Sequence, residues 1–301
     1  MKINIYTKFN GVGLEADARI IKGILTPEHD VEIINWNKPM KRNAKVGIHL
    51  EHIRRELLHL ASYNVSIPNP EWFDEPWRPL LRHVQAVWCK TDYTLSIFQN
   101  LHQNCIKTGF TSEDKCDATV EKHKIFIHMA GRSSHKGSET IRDIWKSDKS
   151  LPLLLLQKIE HLNGFQFQLP NYYCQNKRLV DIKEFLNQAI FHLCPSKAEG
   201  FGHYINEALS TGAIVITTDH GPMNELVTTD YGFIVPGRVC GRHRLAEEYC
   251  VDPKALKEAV VKAYSLDNDT LLQMSAKARE AYLKRDAEFR TKLKTLINNI
   301  V

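Results

Sequence analysis

Long apolar runs are missing from this chain of 301 residues: the longest, residues 151–156, is far too short to cross a bilayer. The first residues also lack the apolar core of a signal peptide before Lys8 is reached, so no integral membrane segment and a soluble, cytoplasmic protein are expected. Closely spaced cysteines are absent as well. The seven cysteines stand singly, with no Cys-x-x-Cys spacing and an odd total. That pattern excludes a zinc knuckle or a disulfide framework from the expectation and leaves reduced, mostly structural thiols. Fourteen histidines make no His-Glu-x-x-His helix, so no metal site is expected. Charge of one sign is scarce: the net charge is +5, and most of it lies beyond residue 120 without the concentrated basic face of a nucleic-acid protein. Residues 38–45 form the one basic cluster of the first half and read as a solvated loop.

What is present is the composition of a globular protein, 43% hydrophobic and 25% charged, at a length that favours two domains. Ile3 to Tyr6 alternate as a strand, Gly11-Val12-Gly13 breaks the pattern, and Leu14, Ala18, Ile21 and Leu25 recur at helical spacing. Short buried strands are predicted at residues 31–34, 45–50, 65–67, 84–88 and 105–107, with helices at 54–60 and from an N-cap at Thr91 to about Leu101. Strands alternating with helices imply a parallel sheet. Residues 111–122 turn polar and read as an interdomain linker. The pattern then restarts with a strand at 125–128, a glycine-bounded loop at 131–137 and a helix at 138–145. Further strands are predicted at 152–156, 165–169, 189–193 and 213–217, a helix from Asp252-Pro253 to about Tyr264, and a long charged helix from Asp269 towards Ile300.

The strongest chemical signal is Glu199-Gly200-Phe201-Gly202-His203-Tyr204-Ile205-Asn206-Glu207, which follows the strand at 189–193. A strand feeding a helix through a glycine-bearing turn presents backbone N–H groups to hydroxyl or phosphate oxygens. Glu199 and Glu207, read as about two helical turns apart, can accept hydrogen bonds from two polyol parts of one ligand. At these residues the chain resembles the retaining GT-B glycosyltransferases of glycosyltransferase family four, whose hallmark is a Glu, seven intervening residues and a second Glu. The segments Gly212 to Thr217 and Gly221 to Val227 look like that family's downstream strand and its glycine-to-Glu turn, and the likeness covers about residues 126–236.

The resemblance implies two Rossmann-like α/β domains facing each other across a cleft, and transfer of a sugar from a nucleotide-diphosphate donor with retention of configuration. It gives the donor-sugar hydroxyls to Glu199 and the ribose to Glu207, with the amides of Phe201 and Gly202 near the sugar. A second signal, Gly131-Arg132-Ser133-Ser134-His135-Lys136-Gly137, supplies two cations where a departing diphosphate gathers charge. Arg132 and Lys136 match the family's paired basic residues, so neither a metal nor a cofactor is needed. Gly11, Val12 and Gly13 approach the donor phosphate by the same analogy, and His128 and His203 flank the cleft by motif position, each also fitting a structural role. Glu51, Glu71 and Asp74 sit at the carboxyl ends of strands, where α/β sites form. Glu71 is favoured for polarising the acceptor hydroxyl or balancing an oxocarbenium-like charge, because Pro68, Pro70 and Trp72 hold it rigidly. Trp72, Phe73 and Trp77 suit either an acceptor ring or the core.

The expected organisation is an acceptor-side domain over residues 1–115, a donor-binding domain over 116–280 and a last helix, 281–301, returning to the first domain. The acceptor is left open among a glycan, a lipid, a protein, a small molecule and a modified nucleic acid. Rival readings on the same architecture are a catalytically silent sugar-nucleotide or glycan-binding module and a nucleotide-sugar epimerase or phosphorylase.

Overall fold

The computed structural model describes every residue except 10, 12, 38–41, 159–166, 170, 176–180 and 301. Val12 of the glycine turn, part of the basic segment 38–45, and residues 165–166 of a predicted strand therefore lie outside the described residues. The first half of the chain forms β1 (Lys2–Thr7), α1 (Gly13–Leu25), β2 (Asp30–Asn35), β3 (Ala44–Leu50), β4 (Ala61–Ile67), β5 (Ala86–Cys89), α2 (Asp92–Phe98) and β6 (Cys105–Lys107). Three 3-10 segments, Arg55–Leu60, Pro70–Trp72 and Glu75–His83, fill the connections on either side of β4. Thr91 caps α2 through its side chain, as its position predicts. The second half forms β7 (His123–Gly131), α3 (Ser138–Ser147), β8 (Leu154–Lys158), β9 (Phe167–Leu169), β10 (Tyr172–Gln175), α4 (Ile182–Asn187), β11 (Ala189–Cys194), α5 (His203–Ser210) and β12 (Ile214–Thr218). It closes with α6 (Met223–Leu226), β13 (Gly232–Val235), β14 (Gly237–His243), β15 (Ala246–Val251), α7 (Pro253–Tyr264) and α8 (Asn268–Asn298).

Two sheets result. The first runs β2-β1-β3-β4-β5-β6, and its pairs are parallel throughout. The second runs β13-β12-β11-β7-β8-β10-β9, parallel except for the antiparallel edge strand β9. Both are doubly wound, and each reverses its strand order beside its first strand, at β1/β3 and at β11/β7. Ligands of such sheets bind outside the carboxyl ends of the strands that flank the reversal. Those ends carry the Gly11 turn and Glu51 in the first sheet, and residues 131–137 and 195–202 in the second.

One apolar cluster runs from the first sheet into the second half of the chain. It joins Ile3, Ile5, Val46, Val65 and Trp88 to Phe201, Ile205, Leu209 and Val215, and to Ala278, Tyr282, Phe289, Leu293 and Ile297 of α8. A separate cluster around Phe126, Trp145, Phe191 and Leu256 includes Leu271 at the start of the same helix. The apolar seam of α8 recurs at three- and four-residue steps and their sums, which is why one continuous helix can serve both cores. That helix crosses residue 280 without a break, and Lys294 near its end pairs with Glu28 at 2.7 Å.

The cysteine expectation needs correcting. Cys240 and Cys250 are joined by a disulfide across the β14–β15 hairpin, whereas Cys89, Cys105, Cys116 and Cys194 are free thiols. Ten residues of separation reveal nothing by themselves. Nor does the sequence announce the hairpin that aligns the two positions, since residues 237–251 have no strong alternation of apolar and polar side chains. Among the described residues, no helix is long and apolar enough to cross a membrane.

Candidate functional site

The glycine turns of the second domain are shaped by close approach. Gly137, the N-cap of α3, has φ +70°, and a Cβ there would meet the Pro195 carbonyl oxygen at 2.2 Å. The 131–137 loop therefore lies directly against the loop after β11. Gly202, the N-cap of α5, has φ +99°, in the left-handed region that side chains other than glycine avoid. α5 begins only at His203, so Glu199 stands in the turn ahead of the helix and not on its surface, as two-turn spacing had suggested.

This contact brings Lys136 and Glu199 together. Lys136 Nζ donates to Glu199 Oε1 at 2.5 Å and sits 3.6 Å from the centre of the Tyr204 ring, with both members of the ion pair largely enclosed. Ser196 Oγ donates to the same carboxylate oxygen at 2.5 Å and Tyr204 OH meets Ser196 Oγ at 2.5 Å. Arg132, by contrast, is exposed on the same loop and has no ion-pair partner among the described residues. The Phe201 side chain is buried and meets Phe110 edge-on, so only its backbone can face a ligand. Glu207 is half-buried on α5, and burial holds its carboxyl above the ordinary range against the pull of His203, Lys115 and Lys136.

The first domain meets this motif through polar side chains of which sequence reasoning singles out Glu51 but not Asp17, Asn69 or Lys90. Lys90, just beyond β5, donates to Asp17 of α1 at 2.5 Å and to Asn69 at 3.0 Å, and Asn69 donates to Glu51 at 3.2 Å. Burial of Asp17 alone would raise its pKa, but Lys90 and His203 outweigh it and hold the carboxyl below its ordinary range. His203 Nε2 lies 2.6 Å from Asp17 Oδ1 and its Nδ1 lies 2.9 Å from Ser112 Oγ. Both ring nitrogens of His203 are thus engaged within the protein. His128 is likewise buried, held by the Leu193 carbonyl and Ser138 Oγ. A Cβ on Gly200 would meet Asn69 Oδ1 at 2.4 Å, so the glycine lets the two domains touch at the centre of the motif. Glu225 adds a further link by accepting from the backbone N–H groups of Asp92 and Tyr93, each at 2.7 Å. Gly11 precedes α1 and Gly13 opens it one turn before Asp17; among the described residues no atom lies within 4 Å of a Cβ on either, and the Gly11 amide is held by the Glu15 carboxylate.

Glu71 faces the same region. The residue as a whole is half-exposed, yet its Oε2 is shut off from solvent and has no hydrogen-bond partner among the described residues. Burial, reinforced by the negative charges of Glu199 and Glu51, pushes its pKa up to about 8. At pH 7 the carboxyl therefore keeps its proton, and it can donate a hydrogen bond but cannot balance positive charge. The folded chain holds this proton between about pH 4.5 and 8 while the unfolded chain has released it, so stability falls as pH rises through that window. The Glu71→Gln variant is expected to lack this loss. Urea denaturation should show the variant gaining on the wild type between pH 5 and pH 8.5, and an equal difference at both pH values would refute the assignment.

The other acceptor-side candidates separate. Phe73 is core, edge-on to Phe98, and Trp77 packs against Phe73 and His52. Trp72 is 41% exposed and lies among His135, His243 and Arg244. Asp74 is bound by Arg244, which also donates to the Glu71 carbonyl at 3.1 Å. The β14–β15 hairpin thus reaches over to the loop of Glu71 and Asp74, a contact between segments some 170 residues apart that no local pattern announces.

Residues 172–281 match the family model described as glycosyl transferases group 1, a span that takes in Glu199 and Glu207 and leaves out the 131–137 loop. No curated protein sequence matches the chain. A solved glycosyltransferase from Rickettsia africae ESF-5 aligns with a TM-score of 0.75 at 13% identity, covering 99% of this chain and 98% of its own. Sucrose-phosphate synthase from Thermosynechococcus elongatus aligns with a TM-score of 0.73 at 11% identity over 99% and 98% of the two chains. HepE from Anabaena, solved with UDP and glucose, aligns with a TM-score of 0.71 at 13% identity over 99% of both. At such identities the likeness is one of architecture. The chain has the GT-B fold of two Rossmann-like domains, and over residues 172–281 it carries the pattern of the group 1 glycosyl transferases.

Proposed function

We infer that the protein is a retaining, metal-independent hexosyltransferase that moves a sugar from a nucleotide-diphosphate donor to a hydroxyl acceptor. The observation that carries this reading is the meeting of Lys136 and Glu199 at the strand-order reversal of the second sheet, with the Glu71 carboxyl facing them from the first domain. In their ion pair the cation and the carboxylate neutralise each other. When the donor enters, its diphosphate takes over Lys136, with Arg132 beside it, and the hexose hydroxyls take over Glu199. Glu207 holds the ribose, and the amides of Phe201 and Gly202 face the sugar. As the bond from the anomeric carbon to the diphosphate breaks, the electron pair leaves with the phosphate oxygen, where the two cations stabilise it. The acceptor oxygen attacks from the same face and its proton passes to the departing phosphate. No protein nucleophile is required.

HepE was solved with UDP-glucose as well as with UDP and glucose, which makes a uridine diphosphate hexose the first donor to test. Incubated in EDTA with a panel of nucleotide hexoses and no acceptor, the chain is expected to release nucleoside diphosphate and free sugar slowly from one of them. An epimerised donor would establish an epimerase instead, and binding without turnover a silent module. Turnover lost in EDTA and restored by magnesium or manganese would overturn the metal-independent mechanism.

A further inference from the structure

We propose that His135, His243 and Glu248 form a binding site for a divalent transition-metal ion of the zinc class, separate from the transfer chemistry. The three side chains come from different elements, the 131–137 loop, the end of β14 and the middle of β15. Each offers one ligand atom, and these atoms lie within 4.8 Å of one another. His135 Nδ1 is already 2.7 Å from Glu248 Oε1, and the His135 and His243 rings are 5.0 Å apart between centroids. All three are half-buried, accessible to an entering ion but held among neighbours.

The hairpin is built to present this set. In its register Gly241 pairs with Glu248 and His243 with Ala246. Side chains alternate along a strand, so His243 falls on the face of Glu248, one step along the ladder. A Cβ on Gly241 would meet Glu248 Oε2 at 2.6 Å, so glycine at that position leaves the carboxylate its space. The Cys240–Cys250 disulfide ties the two strands beside the pair. His135 is presented from the other side, where its carbonyl accepts from Lys197 N at 2.7 Å and the Lys197 carbonyl accepts from Tyr249 N at 2.9 Å. Loop and hairpin are thus joined through Lys197 independently of any ion.

The donor set selects the ion. Two imidazoles and one carboxylate suit zinc and its neighbours in the transition series, whereas magnesium and calcium prefer oxygen ligands. Three protein ligands leave a fourth position for water or a ligand atom. Bond lengths of ~2.0–2.1 Å require the ligand atoms to close to ~3.4 Å, a movement of about an ångström that half-buried side chains can make. Arg244 Nη1 lies 2.8 Å from His243 Nε2. Ligation through that nitrogen displaces this contact and leaves the guanidinium on Asp74 and the Glu71 carbonyl. A bound ion would fasten the loop that carries Lys136 to the hairpin that covers Glu71.

The test uses the full chain stripped with EDTA, desalted and titrated with zinc chloride by calorimetry. Saturation at one equivalent is expected, with an affinity that falls at least about tenfold in His243→Ala and in Glu248→Gln, the scale on which even indirect supports of a ligand matter. His59→Ala, an exposed histidine elsewhere, should bind as the wild type does. Thermal unfolding of the metal-free variants establishes that each is folded, and Glu248→Gln keeps the shape of the side chain should His243→Ala fail to fold. No saturable uptake by the wild type, or equal affinity in the folded variants, would overturn the site.

Discussion

Glu199→Gln is expected to reduce sugar transfer on the order of 10²- to 10³-fold in kcat, the range typical of losing one preorganised electrostatic contact, while nucleoside diphosphate binding stays close to wild type. The carboxylate accepts from Lys136 and Ser196, and its proposed partner in the reaction is the hexose. Glutamine preserves the shape and can still accept from Ser196, but it lacks the charge that holds Lys136. With that cation released, the diphosphate should be bound as well as before or better. Titration of the free nucleoside diphosphate into both proteins decides the matter. A marked loss of nucleotide affinity in Glu199→Gln would show that the residue serves the diphosphate and that the sugar assignment is wrong.

Replacing Lys136 by alanine should lower kcat by a similar factor, on the order of 10² to 10³, and raise the donor KM by much less, because charge on the diphosphate grows as the glycosidic bond breaks. The structure makes Arg132→Ala the sharper companion. Lys136 is held by Glu199 and lies over Tyr204, so removing it also takes from an enclosed carboxylate the cation that neutralises it, leaving Ser196 as its hydrogen-bond donor among the described residues. Arg132 is exposed, and truncating such a residue changes stability by no more than about 0.5 kcal/mol as a rule. A fall in kcat with unchanged unfolding is thus expected of Arg132→Ala, and steady-state kinetics beside thermal melts would read both. Wild-type kcat in both variants at saturating donor would place the leaving-group site elsewhere.

The parts of the molecule legible beforehand were those written in local pattern. The βα alternation, the Thr91 cap and the two glycine-bounded loops each rest on residues within a few positions of one another; their repetition implies two parallel-sheet domains, and the GT-B arrangement of the two is what the resemblance at Glu199 to Glu207 implies. The polar junction between the domains left fainter marks. Asp17 falls on the same helical face as Leu14, Ala18 and Ile21, where an acidic side chain is out of place unless it is paired, and Lys90 follows directly on a strand whose four residues are all buried. Each position was informative, but nothing in the sequence said that they meet. The hairpin left no mark at all. Its role depends on Arg244 and Leu245 reaching residues 70–74, and on His243 and Glu248 reaching His135, and contacts over such separations are products of the assembled fold.

The α8 helix has a consequence for the order in which the chain matures. Domains on the ribosome commonly fold as they emerge, the N-terminal one first. Here Phe289, Leu293 and Ile297 share a core with Ile3, Ile5 and Ala18, and Phe289 lies 4.6 Å from Phe110 between ring centroids. Part of the apolar surface belonging to the first sheet and its helix stays uncovered until residues near 297 have been made. The domain made earlier is thus completed only after the later one has been made, and an apolar face stays exposed while the residues between the first sheet and Ile297 are added, a natural point of attachment for chaperones.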